Sequence, residues 1–472
     1  MAAMLAAAAA TMLAIVTQDQ TALRAAPSAT AAPHAQLWQG DLLEVRGRRL
    51  DHLQVYDYRR ERAGYVRASQ VRAVGLTEAE APQLLAVLRF VRDTPGAEAL
   101  GIAYAAAYLK AVPAGQITAE PFDALGVLAE RLARRAAAQA APSTTVTAHM
   151  EVAAQYGVKF TSYESNGSLR LCYDGEAFRR VATMGSAQAT PEQQARAALA
   201  LTRHDCVDPS LGPHERQALD QWRAGLLDRL EPAAVASLDE VTKNRLHLRR
   251  AGVWAAIAFG QSRRGEAPQA AAQRALDELA GVNKAELGDE ETADYTEAAL
   301  RVGAVRWAAE PLPTGGRLHV QLRAGEPGQT CVQLMDTARK LAERCTYATV
   351  WAASARPSAD GRALALAVQP MEGWSELWVW RQQADDWVVD VLPPAGSGPG
   401  LGYAEFAGWV PGAARKLLVA REARVEGRSI RRFEVLNLDT LATERYAGTP
   451  QMLAAFGRWA EAQWKRGTVS LR

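Results

Sequence analysis

Residues 21–74 read TALRAAPSATAAPHAQLWQGDLLEVRGRRLDHLQVYDYRRERAGYVRASQVRAV, and this stretch decides the first part of the fold. An apolar run over 42–45 follows a Gly-Asp turn. Leu53 and Val55 alternate with Gln54, the period of two that is typical of a half-buried strand. A further apolar run starts at 64–66. Several short strands in so few residues predict a small β-barrel or sandwich.

Three runs in this stretch resemble the bacterial SH3-like (SH3b) domain. The LRAAPS run at 23–28 is similar to the opening segment of that family, and LWQGDLLEV at 37–45 to its next strand. GYVRASQV at 64–71 is similar to its closing turn and last strand. The chain departs from the family where His52-Leu53 replaces an aromatic pair, so the resemblance supplies no aromatic cleft. It implies a module that binds cell-wall peptides or serves as a spacer.

The N-terminus is an apolar run, Met4–Val16, that is too short to span a bilayer. It fits the hydrophobic region of a secretory signal peptide, with the small residues Ala8 and Ala10 as cleavage determinants. We expect a signal peptide over 1–14 with cleavage between Ala8 and Ala14, followed by an SH3b-like barrel over 15–75. The alternative is a disordered, alanine-rich start.

Composition excludes some classes of partner. The net charge is +2 and the charged residues make up 22% of the chain. This balance gives no electrostatic reason to expect nucleic acid or an acidic membrane as partner. No membrane span is expected. The expected location is the periplasm or the medium, and the cytosol is the lower-ranked alternative.

Four cysteines, at 172, 206, 331 and 345, form no C-x-x-C pair. A zinc ribbon or a thioredoxin-like motif is therefore not indicated, and four cysteines allow three pairings. We predict Cys172 with Cys206 and Cys331 with Cys345, because each pair falls inside one predicted domain. The alternative is four free thiols in a cytosolic protein.

The middle of the chain is predicted to be helical. We expect a helical region over 76–141 and a helical domain over 142–312. The second contains one β-hairpin, 158–173, whose Asn-Gly centre is a strong hairpin signal. Residues 251–280 resemble a single tetratricopeptide hairpin, but no repeat follows at a fixed period, which favours an ordinary bundle.

The last part, 313–472, is predicted to be rich in strands, and eight of the twelve tryptophans lie beyond residue 350. The run 346–394 predicts four strands with turns at 359–361, 371–373 and 384–386. Four short antiparallel strands resemble one blade of a β-propeller. About three blades fit the segment, so an incomplete propeller and a sandwich both remain open.

No motif in the sequence supports catalysis. The run His204-Asp205-Cys206 invites a Cys–His interpretation, but a disulfide explains Cys206 better. The seven histidines lack ligand spacing. We therefore predict no catalytic residue, no metal site and no cofactor.

Binding is predicted at exposed aromatic and arginine residues, which dominate interface energetics. Tyr56 and Tyr58 lie on the strand face opposite Leu53 and Val55, and with Arg60 they form the predicted binding residues. The competing candidate is the tryptophan run 374–387, for which core packing is the better explanation.

The predicted fold class is multidomain α+β: a small SH3-like barrel, a central helical region with one hairpin, and an antiparallel β region that resembles propeller blades. The expected function is that of a secreted or periplasmic bacterial envelope protein, a non-catalytic interaction or scaffold module with a protein or cell-wall peptide as partner. A cell-envelope hydrolase with an unrecognised catalytic domain is the alternative, and a cytosolic scaffold ranks third.

Overall fold

The computed structural model describes residues 12–138, 143–165, 168–313, 316–396, 400–412, 415–425 and 428–468. The chain forms two compact units. The first comprises the chain up to Leu211 together with Leu230–Ser237, and the second comprises Gly212–Arg229 and the chain from Leu238 onward. The predicted helical domain over 142–312 contributes to both units.

Helices and antiparallel sheets are both present, which confirms a mixed α+β chain. The helices are α1 Ala81–Arg92, α2 Glu98–Ala111, α3 Glu120–Ala137, α4 Thr144–Gln155, α5 Glu176–Thr183, α6 Pro191–Leu201, α7 Pro213–Asp228, α8 Pro232–Ser237, α9 Glu240–Arg263, α10 Gln269–Ala280, α11 Asp289–Val305, α12 Ala454–Trp459 and α13 Ala462–Gly467. In the described segments, no helix combines the length and the apolar character that crossing a bilayer requires.

Within the described residues, the first unit contains nine strands. They are β1 Leu13–Val16, β2 Thr21–Arg24, β3 Pro33–Leu37, β4 Leu42–Arg49, β5 His52–Asp57, β6 Arg62–Arg67, β7 Val71–Val74, β8 Phe160–Ser165 and β9 Ser168–Tyr173. The first seven form one antiparallel sheet in the order β3-β2-β6-β5-β4-β1-β7. Its two edge strands, β3 and β7, do not pair with each other over the described residues.

Strand β1 lies between β4 and the edge strand β7 and pairs with both. Ala14 and Val16 face a core shared with Leu43 and Val55, whereas Ile15 faces the helices. Both faces of β1 are thus covered, because side chains alternate along a strand. The last two residues of the predicted signal peptide, 13 and 14, are the first two residues of this strand. Ala8 and Ala10 lie outside the described residues.

Helices α1, α2 and α3 pack against the sheet through an apolar core of leucine, isoleucine and alanine side chains. Strands β8 and β9 pair as an antiparallel hairpin within the predicted range 158–173. Cys172 of β9 bonds to Cys206, as predicted, and ties the hairpin to the short turn His204–Cys206.

The second unit begins with helices. α9 packs with α10 and α11 through small residues, among them Ala255 of α9, Ala272 of α10 and Ala299 of α11. Small side chains allow the helix axes to approach closely. Trp351 extends this core toward the strands.

The strands of the second unit are β10 Leu318–Ala324, β11 Thr330–Asp336, β12 Arg339–Thr346, β13 Thr349–Pro357, β14 Ala363–Met371, β15 Trp374–Gln383, β16 Asp386–Leu392, β17 Leu401–Val410, β18 Lys416–Val425, β19 Arg428–Asn437 and β20 Thr443–Ala447. β10–β12 form a three-stranded sheet, and β13–β20 form an eight-stranded one. The predicted Cys331–Cys345 disulfide joins β11 to β12.

The eight-stranded sheet consists of two antiparallel meanders, β13–β16 and β17–β20. The first contains the four strands predicted within 346–394. The meanders meet where Trp374 of β15 pairs in parallel with Gly402 of β17. A Cβ at Gly402 would lie 2.8 Å from the carbonyl oxygen of Glu422, so glycine permits this close approach.

Candidate functional site

The predicted binding residues Tyr56 and Tyr58 lie at the end of β5, on the side of the strand away from the core. Val55, which precedes Tyr56 in the strand, is fully buried, Tyr56 is half-buried, and Tyr58 is 65% exposed. The exposure of Tyr58 follows from the alternation of side chains along the strand and from its position just beyond the last paired residue. The sequence-based placement of these two rings on the outer face is therefore what the structure has.

Two further residues join the tyrosines. The two rings meet edge to face with centroids 4.9 Å apart, and the guanidinium carbon of Arg46 lies 4.1 Å from the Tyr56 centroid. Glu44 is the cross-strand partner of Tyr56 in the β4–β5 register. The Tyr58 hydroxyl donates to Glu44 Oε2 at 2.9 Å, and Arg46 donates to the same oxygen from Nε and Nη2. We call Glu44, Arg46, Tyr56 and Tyr58 the tyrosine patch.

The electrostatics of the tyrosine patch fix its geometry. The hydrogen bond from Tyr58 and, next, that from Arg46 lower the pKa of Glu44 from its ordinary value. Hydrogen bonds to the charged form favour ionisation. The carboxylate therefore stays charged at neutral pH and holds Tyr58 and Arg46 in place. Sequence reasoning missed Glu44 and Arg46, although they stand two apart on one face of β4, directly across from Tyr56.

Arg60, the third predicted binding residue, is not part of the tyrosine patch. Its Nη1 donates to Asp57 Oδ2 at 2.7 Å and its Nη2 to Asp41 Oδ2 at 3.1 Å. Both aspartates are only 2% exposed. Buried carboxylates require a paired charge, which Arg60 supplies to both aspartates, and Arg59 Nη1 also lies 3.7 Å from Asp41 Oδ1. The main-chain N–H of Trp38 also donates to Asp41 Oδ2, at 2.9 Å.

A buried histidine in the first unit is held by charged partners. Arg135 Nη2 lies 2.7 Å from His149 Nδ1, and Asp19 Oδ1 lies 2.8 Å from its Nε2. Because arginine can only donate, Nδ1 accepts, and Nε2 carries the proton that it donates to Asp19. Both ring nitrogens are thus engaged in structural hydrogen bonds, and the Asp–His pair has no feature that indicates a catalytic role.

The cysteines are accounted for by disulfides. Cys331, Glu343 and Cys345 form the one cluster of three metal-ligating side chains found among the described residues. Both of its sulfur atoms belong to the disulfide between β11 and β12, so they are not thiolate ligands in this state. Cys206 is bonded to Cys172, in line with the disulfide interpretation of the His204–Cys206 run.

The tryptophans of β15 are part of the core. Trp374, Trp378 and Trp380 are 6%, 3% and 1% exposed. Trp378 and Trp380 pack with Leu334 of the three-stranded sheet, so their face of β15 is covered. The other face, with Val379, is covered by a second apolar cluster. Core packing, the favoured explanation of this run, is confirmed for these three residues.

The second unit contains a cavity of about 550 Å³. α10, the chain just after α11 and the segment at the end of α13 contribute most of its wall. Its lining comprises a buried floor of Leu279, Tyr295, Arg306 and Thr468, and an exposed rim of Gln273, Asp277, Ala280, Lys284 and Arg466, with Leu276, Ala309, Glu310 and Gly467 between them. Residues nearly two hundred positions apart meet there, and no motif in the sequence indicates the site.

Two polar atoms of residues that line the cavity are themselves sealed from solvent, and they lack a hydrogen-bond partner in the part of the chain that the structure describes. They are Arg306 Nη2 and Thr468 Oγ1. The other donors of Arg306 are engaged: Nε donates to Glu405 Oε1 and Nη1 to Glu310 Oε1, both at 3.0 Å. Leaving a buried polar group unsatisfied costs about 1–3 kcal/mol, so such groups call for an explanation.

Comparison with known proteins adds no name to these sites. No protein-family model, no curated protein and no solved structure matches the chain.

Proposed function

We propose that this protein is a secreted or periplasmic bacterial envelope protein that acts as a non-catalytic interaction or scaffold module, and that the tyrosine patch binds a peptide or a cell-wall component. The observation that carries the proposal is the exposed Tyr58 ring, held against Tyr56 and fixed by Glu44. Exposed aromatics beside arginine are the residue types that dominate binding energy at interfaces.

The tyrosine patch is suited to recognition because it is preorganised. Tyrosine offers a large contact area with few rotatable bonds, so little entropy is lost when a partner binds. Arg46 stacks on Tyr56 at 4.1 Å and keeps its own orientation through Glu44. A sugar ring or an apolar peptide side chain would lie on the Tyr58 face, and a partner's carboxylate would meet Arg46.

Arg60 has a supporting role in this proposal. By pairing with Asp41 and Asp57, it fixes the turn that follows Tyr58. Its substitution would therefore disturb folding as well as binding, which makes Arg60 a poor probe of recognition. The tyrosines are the sharper test.

The location outside the cytoplasm is supported by the disulfides. One disulfide lies in each unit, and all four cysteines are used. Disulfides persist in oxidising compartments such as the periplasm and the medium. If a signal peptide is removed, cleavage before Leu13 would leave β1 and its pairing with β4 intact.

The finer fold assignments belong to the same proposal. We regard the seven-stranded N-terminal sheet as SH3b-like, because its strands contain the three runs that resemble that family. The meanders β13–β16 and β17–β20 each have the four antiparallel strands typical of a propeller blade. Both assignments favour a scaffold that presents binding surfaces.

The proposal is tested by sedimentation with purified peptidoglycan sacculi. We expect the wild-type protein to cosediment, and Tyr58→Ala to weaken binding by about tenfold, which corresponds to roughly 1.4 kcal/mol. Tyr446→Ala is the matched control, because Tyr446 is 70% exposed and belongs to the second unit. It should bind as the wild type does.

Two results would count against the proposal. One is equal cosedimentation of the wild type and Tyr58→Ala. The other is release of soluble muropeptides from the sacculi, since that would favour the hydrolase alternative. A panel of short envelope-protein peptides, assayed with the same pair of variants, decides between a peptide and the cell wall as partner.

A further inference from the structure

The disulfide between β11 and β12 lies on the outer face of the three-stranded sheet. Cys331 and Cys345 are directly opposite each other in the register of these strands. Val332, the next residue of β11, packs in the core on the other face. Because side chains alternate along a strand, both sulfur atoms lie on the side away from that core. Cys345 is exposed, and Cys331, on the central strand, is 9% exposed.

The other disulfide of the chain is less accessible. Cys172 is 4% exposed, Cys206 is half-buried, and the Tyr163 hydroxyl lies 3.7 Å from Cys172 Sγ. A disulfide is reduced when a thiolate attacks one of its sulfur atoms, so the reaction requires access to a sulfur. Cys345 offers that access. The chain therefore contains an exposed disulfide and a shielded one, which can be compared within the same molecule.

Glu343 joins the two cysteines on the outer face. The two sulfur atoms and a carboxylate oxygen of Glu343 lie within 4.8 Å of one another. Gln333, its cross-strand partner, donates a hydrogen bond to Glu343 Oε2, and Lys340 Nζ lies 3.5 Å from the same oxygen. The hydrogen bond from Gln333 and, next, the charge of Lys340 lower the pKa of Glu343. The carboxylate is therefore ionised at neutral pH, which is the form that binds a metal ion.

Arg323 places a positive charge next to the cysteines. It is exposed on β10 and is the cross-strand partner of Cys331 on the other side of β11. A nearby guanidinium favours a thiolate over a thiol. With the disulfide open, two thiolates and the carboxylate of Glu343 carry three negative charges, against the two positive charges of Arg323 and Lys340. The open site therefore has an excess of negative charge, which attracts a cation.

The sheet itself keeps these groups together when the disulfide is open. Every residue of β11 pairs with a residue of β12, and on the inner face Val332 and Leu334 pack with Trp378 of β15. Zinc–sulfur bonds of about 2.3 Å at a tetrahedral angle place two thiolates about 3.8 Å apart. Rotation of one cysteine side chain reaches this separation from the disulfide.

We infer that Cys331 and Cys345 form a reducible site, and that its open form binds Zn²⁺ together with Glu343. Two thiolates and a carboxylate are ligands that zinc accepts, and they leave a fourth position for water. The inference goes beyond the proposed function and does not depend on it.

A dithiol is the reductant that opens the site. One of its thiolates attacks the exposed Cys345 Sγ, the bond between the two protein sulfurs breaks, and the Cys331 sulfur leaves as a thiolate beside Arg323. The second thiol of the reductant then displaces Cys345 from the mixed disulfide. The reductant ends as a disulfide, and the protein gains two electrons and two protons. Binding of Zn²⁺ releases the two thiol protons.

Reduction of the full native chain with dithiothreitol tests the first step. Free thiols are trapped with iodoacetamide at successive times and located by peptide mapping. We expect Cys331 and Cys345 to be alkylated about tenfold faster than Cys172 and Cys206, because the attacking thiolate needs access to a sulfur. Equal rates for the two pairs, or faster reduction of the Cys172–Cys206 pair, would overturn the inference.

Isothermal titration calorimetry with Zn²⁺ tests the second step on the selectively reduced chain, freed of dithiothreitol under nitrogen. We expect one zinc ion per chain with a Kd of about 1 μM, weaker than a structural site with four protein ligands. The oxidised chain should bind at least about a hundredfold more weakly, and Mg²⁺ should not bind the reduced chain, because thiolates select zinc over magnesium. Equal zinc affinity of the two forms would show an adventitious surface site and overturn the inference.

Variants locate the ion. Glu343→Gln should weaken zinc binding by the reduced chain about tenfold or more and leave the rate of disulfide reduction as it is. Glu444→Gln is the matched control, because Glu444 is an exposed carboxylate of the same unit that pairs with Lys416 as Glu343 does with Lys340. It should bind zinc as the wild type does.

Zinc affinity that Glu343→Gln leaves unchanged would place the ion elsewhere and overturn the inference. Because the readouts are thiol trapping and zinc binding and not cosedimentation with sacculi, failure here is distinct from failure of the proposed function.

Discussion

Tyr58 directly follows strand β5 and Trp380 lies on strand β15, and the side chains of both strands alternate between two faces. Tyr58 is nevertheless 65% exposed, whereas Trp380 is 1% exposed. Tyr58 contacts Tyr56 and Glu44 and leaves most of its surface open to solvent, whereas the Trp380 face of β15 is covered by β10–β12. Alternation decides which residues share a face. Whether that face meets solvent depends on what else packs there, so the same aromatic pattern yields a surface in one region and a core in the other.

The strongest way to sharpen this contrast is to truncate each ring. Trp380→Ala should lower the free energy of unfolding by about 3–5 kcal/mol, because it removes a large buried side chain and leaves a cavity. Tyr58→Ala should change it by no more than about 0.5 kcal/mol, as is usual for exposed positions. Urea denaturation of both variants checks the difference, and comparable losses would refute the assigned environments.

The covering sheet itself can be loosened through its disulfide. Cys331→Ser combined with Cys345→Ser opens a loop of 14 residues in sequence separation and should cost about 3 kcal/mol. Eleven of the twelve tryptophans lie in the second unit, so fluorescence reports on its unfolding.

The control for this disulfide variant is Cys172→Ser combined with Cys206→Ser, which changes the first unit. It should leave the fluorescence-detected transition of the second unit in place. If the two double variants shift that transition equally, the disulfide between β11 and β12 does not stabilise the packing of β10–β12 on β15.

On the exposed side of the comparison, Arg60→Ala tests whether Arg60 belongs to the core or to the surface. We expect a loss of about 2–3 kcal/mol, because the buried carboxylate of Asp57 would lose its paired charge and that of Asp41 would keep only Arg59, at 3.7 Å. Arg48→Ala, at an exposed arginine of β4, should cost less than about 0.5 kcal/mol. Denaturation followed by circular dichroism measures both. If Arg60→Ala leaves the free energy of unfolding unchanged, Arg60 does not stabilise the buried aspartates and behaves as a surface residue.

The smallest effect concerns the acid that fixes Tyr58. Tyr58→Phe removes the hydrogen bond that contributes most to the lowered pKa of Glu44, so that pKa should rise toward its ordinary value. In the wild type, the stabilisation from this contact is present above the ordinary pKa of glutamate and is lost as pH falls through the lowered pKa of Glu44.

Carbon-detected NMR titration of the Glu44 carboxyl measures this change. Tyr446→Phe serves as the comparison and should leave the Glu44 titration as it is in the wild type. An unchanged pKa in Tyr58→Phe would mean that Arg46 alone orients the carboxylate, and the rigidity assigned to the tyrosine patch would be wrong.

Sequence patterns anticipated much of the local structure. The four strands within 346–394, the hairpin at 158–173 and both disulfides agree with expectation. They depend on neighbours in sequence: turn residues, alternation, and cysteines placed within a short span. The apolar run that ends at Val16 shows what such local patterns do not decide, because its last residues suit both a signal peptide and the strand β1.

The sequence by itself determined the strand and helix content, the pairing of the cysteines and the outward face of Tyr56 and Tyr58, because these depend on period and local spacing. Tertiary structure decided the rest. It directed Arg60 to two buried aspartates, covered both faces of β15, and brought Arg306 and Thr468 to one cavity floor. Such outcomes depend on which distant surfaces meet and exclude water, and period or spacing along the chain contains no information about that.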